Sequence, residues 1–276
     1  PPPPAPRPPR PRPPPPAARH HRQAWRASGC HRAAARLRHA RRPREHLPPH
    51  GRYGRQLPWF ADSYTLPQQL PSLVIDWRAA GLEGFGKESD YVARQTHRWT
   101  KQYVASETKK IADMDALIEW LPKNIPAGDM TTIVHGDYRL DNMILHPTEP
   151  KVIAVLDWEL CTLGDPLADF AYHVMSWRLP PALFRGIGGL DLAAMGIPDE
   201  DAYVSAYCKR TGRTGIDNWD YYLAYNMFRI AAILQGIAGR VRDGTAASDH
   251  AKEQVARIRP LAEFAWAQAE KVMKAG

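Results

Sequence analysis

Residues 133–145, IVHGDYRLDNMIL, place two acids, a histidine and an asparagine between an apolar pair and an apolar triplet. The spacing H-x-D-x-x-x-x-N puts Asp137 in a loop and Asn142 at the start of the next apolar stretch. A second run, VIAVLDWE at 152–159, carries Asp157 at its end. A loop carboxylate can accept a proton from a hydroxyl, and Asn and Asp oxygens are the hard ligands that Mg²⁺ prefers. The pattern is typical of phosphoryl transfer to an alcohol.

Short strands must position these residues. The sequence predicts strands at 131–134, 143–145 and 152–156, the last two joined by the turn-forming segment HPTEPK. Because a hairpin returns its end beside its start, Asp157 and Asn142 can converge on one ion. Acids and asparagines also end strands in ordinary turns. That alternative is disfavoured because three such residues stand in register on one hairpin.

Apolar periodicity predicts helices before and after the hairpin. The predicted segments are 89–104 with a cap at Ser89 or Asp90, 113–121 with a cap at Asp113, then 166–177, 199–211, 217–241 and 248–274. Helices around a small hairpin, without an internal repeat, give an α-rich α+β domain. This is the predicted fold class.

The net charge of +8 is unevenly distributed along the 276 residues. Residues 1–60 hold 14 Arg, no Lys and one acid, whereas the remainder carries a net charge of −5. The basic excess is therefore no argument that the folded part binds nucleic acid. The three cysteines, which lack disulfide or metal-ligand spacing, indicate a cytoplasmic compartment, and no apolar run reaches the ~18 residues of a membrane span.

The motifs HGDYRLDN, LDWE and GDPLADFA together resemble the aminoglycoside phosphotransferase and choline kinase family, which has a protein-kinase-like fold. VLDWELCTLGDPLADFAY, GIPDEDAYVSAYCKRTGR and FRIAAILQGIAGR are similar to the branch that also occurs fused to acyl-CoA dehydrogenases. The resemblance covers roughly residues 76–265. It implies a protein-kinase-like C-terminal lobe over 72–276, mostly helical, with a small β-hairpin carrying the catalytic loop.

The resemblance also implies roles for particular residues. Asp137 would be the catalytic base, and Asn142 and Asp157 would bind Mg²⁺ and, through it, the phosphates of ATP. Arg139 stands where protein kinases have a lysine that faces the γ-phosphate, and it is assigned to catalysis.

Other residues near the motifs are expected to be structural. His135 would pack the loop, and Asp169 would accept hydrogen bonds from the catalytic-loop backbone. Arg229 and Arg240 are expected on a solvated or salt-bridged helix face, with contact to an acidic substrate as the alternative. Three aromatic residues at helical spacings are expected in the core: Trp99, Trp120 and Trp177.

Residues 1–60 form a separate low-complexity segment, whose first 16 positions contain 12 prolines. Such a run is polyproline II or disordered coil. Arginine without lysine is typical of GC-rich DNA translated in the wrong frame, so a frameshift or wrong start site is favoured over an Arg-rich tail or a PxxP ligand. No lysine-bearing strand or glycine-rich phosphate loop precedes the motifs. We therefore expect the donor-binding N-terminal lobe to be absent.

These observations favour an ATP-dependent phosphotransferase that acts on the hydroxyl of a small molecule. A hydroxyacyl compound is suggested by the dehydrogenase-fused relatives. Without a donor-binding lobe, the chain is expected to be truncated and poorly active. The alternative is a non-catalytic, pseudokinase-like binding module. An Arg-rich nucleic-acid binder would rest on residues 1–60 alone and is disfavoured, and no membrane partner is expected.

Overall fold

The computed structural model describes residues 76–79, 81–127, 130–147, 152–245 and 249–275. The expectations of a disordered or out-of-frame segment over residues 1–60, and of a missing donor-binding lobe, concern a part of the chain that lies outside the described residues. Within the described ranges, the chain is mostly helical with four short strands. The predicted α+β class is confirmed.

The elements alternate around the motif-bearing segment. The helices are α1 (Tyr91–Ser106), α2 (Ala112–Trp120), α3 (Pro166–Val174), α4 (Glu200–Thr211), α5 (Trp219–Arg242), α6 (Asp249–Ala256) and α7 (Ile258–Ala275). The strands are β1 (Thr132–Val134), β2 (Met143–Leu145), β3 (Val152–Val155) and β4 (Thr162–Gly164). All four strands and α3 lie between α2 and α4, so the catalytic motifs occupy one continuous stretch of the chain.

Two antiparallel pairs hold the catalytic motifs. β2 pairs with β3, with Ile144 opposite Ala154, which confirms the predicted hairpin. β1 pairs with β4, with Ile133 opposite Leu163. The sequence did not predict β4, because three residues ending in glycine show neither alternation nor β-branched enrichment. The second pair returns the chain to the start of the catalytic loop just before α3.

Helix α5 is the centre of the core. It is buried on nearly every side, and it packs against α7, α1 and α3. The three tryptophans expected in the core, Trp99, Trp120 and Trp177, are buried as predicted. Among the described residues, no helix combines the length and apolar character that crossing a bilayer requires.

Two predicted helix boundaries are wrong. The last helix is not continuous over 248–274, because α6 ends at Ala256 and α7 begins at Ile258. Pro260 explains the break, since proline lacks the N–H for a bond to the preceding turn but fits the first turn of a new helix. Asp113 lies in the first turn of α2, and its predicted capping position is taken by Ile111.

Candidate active site

The catalytic loop, residues 135–142, begins where β1 ends and turns at once through Gly136. Gly136 has a φ of +80°, in the left-handed region that favours glycine. A Cβ at this position would lie 2.8 Å from the Leu160 carbonyl oxygen. The turn therefore requires glycine for two reasons, its backbone conformation and the close approach of the segment before β4.

Asp169 of α3 fixes the backbone of this turn. Its Oδ2 accepts a hydrogen bond from the His135 N–H at 2.7 Å, and its Oδ1 accepts one from the Gly136 N–H at 2.9 Å. The predicted structural role of Asp169 is thus confirmed. Burial raises the pKa of the carboxyl, while the two backbone donors and the nearby Arg229 oppose that increase.

Arg229 of α5 supports the same turn from the other side. The side chain is buried and donates a hydrogen bond from Nη2 to the Gly136 carbonyl oxygen. Its guanidinium carbon lies 4.7 Å from the centre of the Tyr172 ring and 5.6 Å from that of Trp99. The prediction that Arg229 occupies a solvated or salt-bridged helix face is wrong, whereas Arg240 is exposed as expected.

The Asp137 carboxylate is held by three side chains. Oδ1 accepts a hydrogen bond from the Tyr172 hydroxyl at 2.8 Å. Oδ2 accepts one from Asn142 Nδ2 at 2.9 Å and lies 3.2 Å from Arg139 Nε. Since each carboxylate oxygen has two lone pairs, Oδ1 retains acceptor capacity for one more hydroxyl. Burial and the neighbouring Asp137 raise the pKa of the Tyr172 hydroxyl, partly against Arg229, so it stays a donor at neutral pH.

Asn142 and Asp157 lie on adjoining backbone. Asn142 Nδ2 donates to the Asp137 carbonyl oxygen at 2.8 Å as well as to its carboxylate, so Oδ1 is the amide atom left to bind a ligand. The Leu156 N–H donates to the Asn142 carbonyl oxygen at 2.7 Å, and the exposed Asp157 follows directly. In the described ranges no three His, Cys, Asp or Glu side chains cluster to hold a metal. Two oxygen ligands still fit Mg²⁺, which completes its shell with water and substrate phosphates.

His135 ties the catalytic loop to the end of β3. The ring is buried, and its Nδ1 accepts a hydrogen bond from the Asp137 N–H at 3.2 Å. That bond leaves the ring proton on Nε2, which donates to the Leu156 carbonyl oxygen at 2.6 Å. One imidazole therefore links the residue before Asp157 to the backbone of Asp137, and the predicted packing role of His135 is confirmed.

Two residues beside the site were not predicted from the sequence. Tyr172 could have been found, because it stands three residues after Asp169 on α3 and therefore on the same helix face. Arg185 could not, because it belongs to a long loop without periodicity. Its Nε lies 2.8 Å from Asp141 Oδ2, and the same oxygen lies 3.8 Å from Arg139 Nε.

The loop geometry, the helix that holds it and the paired hairpin match a known family. Residues 74–203 match the family described as "Phosphotransferase enzyme family". These residues form a phosphotransferase-family domain. The resemblance predicted from the motifs is confirmed.

The phosphotransferase domain has relatives with long chains. The chain is similar to mouse acyl-CoA dehydrogenase family member 10, with 47% identity over 207 residues that cover 74% of this chain and 19% of that protein. With human acyl-CoA dehydrogenase family member 11, identity is 40% over 197 residues, covering 71% of this chain and 25% of that protein. The chain thus spans a quarter or less of these relatives' length.

A solved structure supports the fold of the phosphotransferase domain. A Ralstonia eutropha protein assigned provisionally as an aminoglycoside phosphotransferase superimposes with a TM-score of 0.72 and 53% sequence identity. The match covers 78% of this chain and 65% of that chain. The protein-kinase-like C-terminal lobe predicted from the sequence is confirmed by this similarity.

Proposed function

We propose that this domain transfers the γ-phosphoryl group of ATP to the hydroxyl of a small molecule, with Asp137 as the base. The acceptor oxygen forms a bond to phosphorus, the bond from that phosphorus to the β,γ-bridging oxygen breaks, and ADP leaves. The hydroxyl proton passes to Asp137. The observation that carries the proposal is the Asp137 carboxylate itself, oriented by Tyr172 and Asn142 with one lone pair of Oδ1 left for the hydroxyl.

Mg²⁺ and ATP are the cofactors that the site would take. Asn142 Oδ1 and the Asp157 carboxylate would hold Mg²⁺, which neutralises charge on the donor phosphates when it is bound. Arg139, whose Nε lies 3.2 Å from Asp137 Oδ2, supplies a fixed positive charge beside the base. In this proposal Arg139 stabilises negative charge on the transferred group.

A hydroxyacyl compound is the acceptor that we propose. The support comes from the relatives, which are named as acyl-CoA dehydrogenase family members. A second candidate is a non-catalytic, pseudokinase-like module that binds a ligand or partner. One observation favours it: three side chains already engage the Asp137 carboxylate, as in a structural carboxylate.

We also propose a cytoplasmic location without a membrane or nucleic-acid partner. Cys208 is a buried free thiol, which suits a reducing compartment. The basic excess that would attract nucleic acid belongs to residues 1–60, and the remainder of the chain is mildly acidic.

The first test is phosphoryl transfer from ATP to a panel of hydroxyacyl compounds by the protein that the complete gene encodes. Asp137→Asn should lower kcat by about 10²-fold or more, the scale of a lost general base. Asp157→Asn should weaken Mg²⁺-dependent nucleotide binding without changing the melting temperature, because Asn tolerates the left-handed φ of 63° at this position. Asp243→Asn is the control, since Asp243 is an exposed acid on the far end of α5.

Two outcomes separate the candidates. Transfer by Asp137→Asn at the rate of the unchanged protein would exclude Asp137 as the base. Nucleotide binding without transfer to any hydroxyl compound would favour the binding module.

A further inference from the structure

Phe184 and Arg185 form a strained corner in the long loop after α3, here called the Phe184–Arg185 corner. Their φ angles are 37° and 58°, both in the left-handed region. This region is unfavourable for residues with a side chain, and two such residues in succession are uncommon. Strain of this kind persists where the surrounding structure enforces it, and it concentrates at functional sites.

Backbone hydrogen bonds hold the corner against the chain that follows α3. The Gly186 N–H donates to the Leu183 carbonyl oxygen at 2.8 Å, and the Gly188 N–H donates to the Leu179 carbonyl oxygen at 2.8 Å. A Cβ on Gly186 would lie only 2.0 Å from the Leu179 oxygen. The corner therefore has little freedom to move, and Arg185 is presented from a fixed point.

Two chains of contacts connect the corner to the Asp137 carboxylate. The Phe184 ring packs edge-on against Tyr172 at a centroid distance of 6.2 Å, and the Tyr172 hydroxyl binds Asp137 Oδ1. Arg185 Nε lies 2.8 Å from Asp141 Oδ2, and that oxygen also faces Arg139. The strained corner is thus built against the acceptor side of the proposed base.

We propose that Arg185 binds an anionic group, a carboxylate or a phosphate, on the phosphate acceptor. The inference rests on the proposed function and specifies its substrate class. Asp141 lies against Nε of Arg185, and neither Nη group donates a hydrogen bond to another of the described residues. These groups supply the forked donor pair that matches carboxylate and phosphate oxygens. The side chain is 53% exposed, so a ligand can reach it.

The corner lies beside the acceptor and not beside the donor. Phe184 packs on Tyr172, which binds Oδ1 of Asp137, the oxygen with a lone pair left for the acceptor hydroxyl. Asn142, the proposed Mg²⁺ ligand, binds the other oxygen, Oδ2. An anionic group on the acceptor would be repelled by the carboxylates of Asp137 and Asp141. The positive charges of Arg185 and Arg139 offset that repulsion.

The test is a binding experiment on the full chain with three probes that share one hydroxyl and one alkyl chain. The probes are a hydroxyoctanoate, its neutral methyl ester and its coenzyme A thioester, with excess ADP and Mg²⁺ in every sample to fill a nucleotide site. Arg242→Gln is the matched control, because Arg242 Nε also lies 2.8 Å from a carboxylate oxygen, of Asp243, and its side chain is 47% exposed. Calorimetry gives the dissociation constants.

Arg185→Gln should weaken binding of an anionic probe about tenfold or more, the scale of charge-assisted hydrogen bonds. Arg185→Lys should weaken binding of the anionic probes less than Arg185→Gln does. Neither substitution should change binding of the methyl ester. If Arg185→Gln weakens the binding of hydroxyoctanoate, Arg185 binds a carboxylate. If it weakens the binding of the thioester alone, Arg185 binds a phosphate.

The inference fails if Arg185→Gln binds the anionic probes as Arg242→Gln does, or if the methyl ester is weakened equally. It also fails if the unchanged chain binds neither anionic probe more tightly than the ester. Phosphoryl transfer that depends on Asp137 but not on Arg185 would refute this inference alone. If the anionic probes bind in a manner that depends on Arg185 but the protein shows no transfer that depends on Asp137, the proposed function alone is refuted.

Discussion

At the scale of single residues, the buried carboxylate of Asp169 determines the position of the proposed base. It accepts the N–H groups of His135 and Gly136, the two residues immediately before Asp137. Neither bond can be replaced by water, because Asp169 is buried. The position of Asp137 thus depends on a residue that touches no substrate in the proposed reaction.

We predict that Asp169→Asn destabilises the domain. The amide can accept only one of the two backbone N–H groups, and its own NH₂ would face the other. The free energy of unfolding should fall by about 3 kcal/mol, as expected for a broken buried network. Urea unfolding at pH 7 measures this, with Asp243→Asn as the exposed control. A change no larger than the control's would show that the loop is held by other contacts.

At the scale of secondary-structure elements, helix α3 carries the residues that hold the catalytic loop. All nine of its residues are buried, and within two turns it carries Asp169, Tyr172 and His173. Asp165 caps the helix by accepting the Leu167 N–H at 2.8 Å. Polar side chains on a helix that is buried on every side are stable only where they contact other groups. Each polar residue of α3 is therefore expected to make a specific contact.

His173 on α3 makes stability depend on pH. Burial lowers its pKa to about 4, against an ordinary value of 6.5. Between these values the unfolded chain binds a proton that the folded chain does not, so stability falls as pH falls through this window. From pH 7 to pH 5 the loss attributable to His173 is about 2 kcal/mol.

Urea unfolding of the protein and of His173→Gln at both pH values isolates this contribution. The difference in unfolding free energy between the two proteins should shrink by that amount as the pH falls from 7 to 5. Parallel pH profiles would mean that folding leaves the pKa of His173 unchanged.

The motifs predicted more of the site than of the elements that carry it. Asp137 and Asn142 are close along the chain and are joined by a hydrogen bond, and the predicted hairpin holds the backbone of Leu156, just before Asp157, against Asn142. Arg229 lies 93 positions from the Gly136 oxygen that it binds, and no local pattern encodes so distant a contact. The unpredicted β4 is stabilised by pairing with β1, which short-range propensity does not describe.

At the scale of the whole described region, exposed apolar side chains recur in the segment of the chain that carries the proposed active site. Four of the large hydrophobic residues with substantial exposure lie between 130 and 160: Met130, Ile153, Leu156 and Leu160. Leu156 immediately precedes Asp157 and binds His135 through its backbone, so this surface adjoins the proposed Mg²⁺ site. Apolar surface that is clustered promotes association more than the same area scattered singly.

We therefore predict that the chain self-associates through this surface. Leu156 and Leu160 are 46% and 50% exposed, so replacing both with glutamine should reduce association and hydrophobic-dye binding. The free energy of unfolding should change by no more than about 0.5 kcal/mol, because exposed side chains lose little packing. Val104 and Met273, which are 58% and 48% exposed on α1 and α7, give a matched pair of glutamine substitutions outside this surface. Sedimentation velocity across a range of concentrations measures the effect. Equal association by the two double variants would show that clustering beside the site is not what drives it.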